Sequence, residues 1–115
     1  MDVEQTREYC ITKKGATESF PFDEDTLVFK VCGKIFAYMS LEDAAISLKC
    51  DPKRVIELRE EYSYVQGAPH MNKKMWIMAL LNEVRDPKLL YEWIDHSYEL
   101  VVQKLTRVQK AELEK

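Results

Sequence analysis

The densest chemistry in the chain lies in Pro69-His70-Met71-Asn72-Lys73-Lys74-Met75-Trp76. From His70 to Trp76, an imidazole, a carboxamide, two ammonium groups and an indole fall within seven residues. Each can hydrogen-bond to a nucleic acid or stack on it. The same segment also suits a loop whose Asn and Lys are solvated and whose Trp fills the core. Residue chemistry alone leaves both readings open. The second histidine, His96, stands at helical spacing from Trp93 and Leu100, which points to a partly buried structural role.

Nothing resembling a catalytic constellation assembles around these groups. Nucleophilic catalysis needs a Ser or Cys beside a base and a third group to orient that base. The chain has two histidines and neither Gly-x-Ser-x-Gly nor Cys-Gly-x-Cys, so no enzyme activity is expected. Three glycines, at 15, 33 and 67, cannot form a phosphate-cradling loop. Glu18, Asp23, Glu24 and Asp25, with Asp2, Glu4 and Glu8, could offer oxygen ligands to a hard cation. They lack calcium-loop spacing and its glycine, and read as a solvated acidic edge. No metal site and no cofactor are expected.

The elements that must position these residues are marked by local signals. Asp2 can cap a helix running to about Lys14, with Val3, Thr6, Tyr9 and Cys10 on one face and Gly15 beyond its end. Ala16 to Asp25 reads as a loop broken by Pro21, with Phe20 and Phe22 expected to pin it to the core. Thr26–Val31, Lys34–Ser40 and Ala45–Cys50 read as strands, the first two joined by a Cys32-Gly33 hairpin. The third alternates so as to leave one face wet. Asp51-Pro52 and Asp86-Pro87 are strong helix starts, a capping carboxylate followed by proline at the first helical position. Helices are expected over 52–62 and 87–105. Between them, Gln66 to Pro69 reads as a loop and Lys73–Leu81 as a central or covered strand. Residues 106–115 are expected to fray as a tail. The predicted order is α-β-β-β-α-β-α in one α+β domain over 1–115, an antiparallel sheet packed against helices.

Composition bounds the rest. The chain has 115 residues, the size of one ordinary domain, with 46% hydrophobic and 32% charged residues. The run from Met75 to Leu81 is far short of the ~20 residues of a membrane helix, and neither a membrane span nor a signal peptide is expected. Three widely spaced cysteines, Cys10, Cys32 and Cys50, read as free thiols of a reducing compartment, so a cytoplasmic protein without a membrane partner is expected. Net charge is −3, but residues 1–25 carry −4 and residues 26–81 carry +2. Any basic face must therefore be local.

Three stretches stand in order along the chain: Phe20-Pro21-Phe22-Asp23-Glu24-Asp25-Thr26-Leu27-Val28-Phe29-Lys30-Val31, Leu48-Lys49-Cys50-Asp51-Pro52 and His70-Met71-Asn72-Lys73-Lys74-Met75-Trp76. Together they resemble the MmcQ/YjbR family of small bacterial proteins. Leu90 to Tyr98 is similar to the family's last helix. The resemblance implies a CyaY-like (frataxin-like) α+β fold and a double-wing DNA-binding role. The family's His-x-Asn-Lys-x-His-Trp pattern maps onto His70, Asn72, Lys73 and Trp76, with Met75 in place of the second histidine. An activity that needs two imidazoles in this segment does not carry over.

The leading expectation is a sequence-tolerant, non-enzymatic DNA-binding monomer. Lys49, Lys53, Arg54, Lys73 and Lys74 would neutralise phosphates, His70 and Asn72 would touch backbone or base edges, and Trp76 would form a wall. The alternative is a protein- or small-ligand-binding module that uses the same segment without nucleic acid. A third reading, from the frataxin analogy, is metal handling on the acidic N-terminal edge.

Overall fold

Asp2 accepts the Gln5 N–H at 2.7 Å and Gln5 returns a bond to the Asp2 N–H, a reciprocal cap that starts helix α1 (Val3–Ile11). The computed structural model describes residues 1–115. Strands β1 (Ala16–Ser19), β2 (Thr26–Val31), β3 (Lys34–Ser40) and β4 (Ala45–Lys49) follow, then helix α2 (Pro52–Glu61). Strands β5 (Val65–Gly67) and β6 (Trp76–Leu80) complete the sheet, and helices α3 (Pro87–Gln103) and α4 (Arg107–Glu114) close the chain. The fold is α+β, with one six-stranded antiparallel sheet in the order β1-β2-β3-β4-β6-β5. No helix is long and apolar enough to cross a membrane.

Both Asp-Pro helix starts form as expected, with Asp51 accepting the Lys53 N–H and Asp86 the Lys88 N–H. The β2–β3 turn has positive φ at both Cys32 and Gly33, the twist a two-residue hairpin demands. Leu27, Phe29, Ala37, Leu48 and Ile77 form one face of the sheet and pack against Leu90, Trp93 and Ile94 of α3. A bulge between Phe29 and Lys30 breaks the β2–β3 register. Buried Ser97 of α3 serves the backbone beside it, donating to the Phe36 carbonyl at 2.5 Å and accepting the Lys49 N–H at 2.8 Å.

Several expectations are corrected. The region expected to be a single loop, Ala16 to Asp25, begins with β1, and Gln66-Gly67 belongs to β5. Both are short edge strands held by neighbours' ladders, so periodicity gives little sign of them. β6 begins at Trp76 rather than Lys73, because Asn72 makes a turn: its side chain accepts the Lys74 N–H and its carbonyl the Met75 N–H. Residues 107–114, expected to fray, form α4 behind a Thr106–Gln109 capping box, and Leu113 packs against the core. α1 stops at Ile11, short of Lys14. Phe20 and Phe22 do not pin their loop: they are 48% and 71% exposed. The expected wet face of β4 is covered, with Ala45 and Ser47 buried.

Candidate functional site

Residues 68–75 cross the sheet on the face opposite α3, and three contacts set their path. Tyr38 on β3 donates its hydroxyl to the Pro69 carbonyl at 2.5 Å. His70 adopts a left-handed backbone at φ 63°, which turns the chain back. The Met75 carbonyl then accepts the Cys50 N–H at 2.8 Å, tying the segment to the end of β4.

This path separates the residues that were expected to act together. Lys73 and Lys74 face α2, where with Pro52, Val55, Ile56, Arg59 and Glu60 they line a shallow hollow of about 500 Å³. The Lys73 stem lies across Gly67, where even an added Cβ would sit 3.1 Å from it, and its Nζ reaches the Ala68 carbonyl at 3.4 Å. Arg59 was absent from the expected set. Its signal was present, since the inward stripe of Val55, Leu58 and Tyr62 turns Ile56 and Arg59 together toward solvent. None of Lys53, Arg59, Lys73 and Lys74 is in an ion pair, and Lys53 projects from the first turn of the same helix.

The other candidates sit elsewhere. Arg54 pairs with Glu92 at 2.8 Å. Lys49 lines a separate hollow with Lys34 and Lys104, and its pKa is lowered by burial and by the Lys104 charge. Trp76 is 7% exposed, with its ring 6.1 Å from that of Tyr38. Asn72 is exposed at the turn. His70 faces the other side of the segment, toward Thr26, Tyr38 and Asp23.

The remaining reactive groups are committed to structure. His96 Nε2 accepts the Asp51 N–H at 3.2 Å, and burial, helped by Arg54, lowers its pKa. Burial pushes the Cys10 thiol up to about 12 and the Cys50 thiol to about 11, and all three cysteines are unbridged. The acidic N-terminal residues have dispersed partners: Glu18 binds Arg7, and Asp2 caps α1. No three His, Cys, Asp or Glu side chains are grouped to hold a metal ion.

The YjbR family model matches residues 11–100, which span β1 to most of α3 and include the whole 68–75 segment. The chain belongs to the YjbR family. It is 30% identical over 104 residues to a protein of Escherichia coli K12 named uncharacterized protein YjbR, covering 89% of this chain and 88% of that one. The uncharacterized protein YbdF of E. coli O157:H7 is 36% identical over 90 residues, 76% of this chain and 74% of YbdF. Among solved structures, the DUF419 domain protein DR2400 of Deinococcus radiodurans superposes with a TM-score of 0.89 at 35% identity, covering 98% of this chain and 88% of that one. A Pseudomonas syringae protein superposes with a TM-score of 0.74 at 28% identity, covering 87% of this chain and 98% of that one. α4 lies outside the family match, so the basic hollow and the 68–75 segment belong to the YjbR-like part of the chain.

Proposed function

We propose that this YjbR-family protein binds DNA without strong sequence preference and without catalysis, through the face formed by α2 and the 70–75 turn. The observation that carries this reading is the convergence of Arg59, Lys73 and Lys74 on one shallow hollow, with no ion-pair partner for any of them. Lysine and arginine side chains held on a solvent-open surface gain affinity by releasing condensed counterions from phosphates. They position a backbone and do not read bases. Lys53 extends the same face, and Asn72 offers an uncharged contact beside it. His70 lines a different hollow, with Thr26 and Tyr38, and takes no phosphate in this reading. A cytoplasmic location suits both a DNA ligand and three unbridged thiols.

The net charge of −3 requires the attraction to be local and short-ranged. Binding should therefore be weak at physiological salt and steeply salt-dependent. Fluorescence anisotropy with a labelled 20-base-pair duplex, titrated from low to moderate salt, tests this directly. No salt-dependent association at low ionic strength would refute it.

A further inference from the structure

We propose that the groove between the 20–25 loop and His70, on the far side of the 68–75 segment from the basic hollow, binds a small organic cation. The ligand would carry an ammonium group on an aromatic or branched apolar body. Two adjoining hollows of about 450 and 190 Å³ share Thr26, Tyr38 and His70 and together make this groove. Their combined size is in the range of small-molecule sites, roughly 300–1,000 Å³. The larger hollow is walled by Phe22, Ile35 and Met71. Phe22 is 71% exposed, an apolar ring left in water at the mouth of a cavity.

Charge decides the class of ligand. Asp23, Asp25 and Asp43 line the two hollows, and no lysine or arginine does. An organic anion or a phosphate would face three carboxylates, whereas an ammonium group would be attracted by them. Asp23 is held in place before any ligand arrives, since its Oδ1 accepts the Asp25 N–H at 2.9 Å and the Thr26 N–H at 2.6 Å. Those backbone bonds also lower its pKa, so it stays ionised. Asp25 is similarly fixed, accepting the Ser40 hydroxyl and the Glu42 N–H, each at 2.7 Å. Each carboxylate keeps lone pairs beyond those used. The Phe22 and Tyr38 rings beside them are faces on which a cation also gains energy. A preorganised carboxylate next to an exposed ring thus selects a cation with an apolar body, and the Tyr38–Pro69 bond keeps the floor rigid.

The test uses phenethylammonium, phenylacetate and phenethyl alcohol as probes, followed by amide chemical shifts of the full chain. Phenethylammonium should shift Thr26, Tyr38, His70 and Met71 saturably at millimolar concentrations, and phenylacetate should not. Asp23→Asn keeps an oxygen to accept both backbone N–H groups while removing the charge. It should weaken the ammonium probe about five- to tenfold and leave the alcohol's weaker binding unchanged. Phe22→Ala, at an exposed position, should weaken both. Lys73→Ala with Lys74→Ala should change neither. Equal binding of the carboxylate probe, shifts centred outside the groove, or an Asp23→Asn affinity equal to wild type would each overturn the assignment.

Discussion

Replacing Lys73 and Lys74 together by alanine is the sharpest test of the basic hollow. Three unpaired cations converge there, Arg59, Lys73 and Lys74. With one phosphate neutralised by each, log affinity for a duplex should fall against log salt with a slope of about −2.7. That corresponds to an affinity loss of roughly 40-fold between 50 and 200 mM salt. Of these three the double variant keeps Arg59, so the slope from the hollow should shrink to about −0.9 and the loss over the same range to roughly 3.5-fold, with any contact from Lys53 adding equally to both proteins. Both lysines are exposed, so the variant should fold and melt like the wild type. Arg59→Ala should reduce the slope's magnitude by about 0.9, whereas Arg54→Ala should leave it nearly unchanged because Glu92 already neutralises that guanidinium. Anisotropy titrations at four salt concentrations measure every slope. A wild-type slope in the double variant, or a larger effect from Arg54 than from Arg59, would show that the phosphate-binding face lies elsewhere.

Other perturbations probe the scaffold. Ser97→Ala removes the hydroxyl that serves both the Phe36 carbonyl and the Lys49 N–H, and should cost about 2 to 4 kcal/mol in urea unfolding; a loss under 0.5 kcal/mol would mean that both groups find other partners. Gly15 has φ 73°, and a Cβ there would come within 2.5 Å of Leu113. Gly15→Ala should therefore cost about 1–2 kcal/mol from backbone alone and expose α4 amides to faster hydrogen exchange; unchanged exchange in α4 would refute that contact. His96 has its pKa lowered from 6.5 by burial, so the unfolded chain binds more protons below that value. Its contribution is complete above about pH 6.5 and is lost as pH falls through the folded-state pKa. Melting temperature should drop from pH 7.5 to 5.5, and His96→Gln should flatten that part of the profile.

How much of this was legible in advance depended on whether the cause was local. Asp51-Pro52 and Asp86-Pro87 announced their helices because a carboxylate and a proline act within three residues of backbone. Cys32-Gly33 placed its hairpin, and the alternation in 26–49 placed three strands. Thr106 and Gln109 carried a readable capping box, but the polar character around it suggested a frayed end. β1 and β5 were illegible because four and three residues have no periodicity of their own and are strands only through the ladders of β2 and β6.

The same division runs through the candidate site. The residue types in His70–Trp76 and their resemblance to the YjbR family were properties of the sequence by itself. Which side of the segment each side chain faces was not. The Tyr38 bond to Pro69, the turn at Asn72 and the bare backbone at Gly67 send Lys73 and Lys74 toward Arg59 and leave His70 among carboxylates. Arg54 joined Glu92, 38 residues away, and so left the basic face. Composition and spacing carry the chemistry a segment can do, but contacts between residues far apart in the chain decide which groups share a surface. Only the tertiary structure holds those contacts.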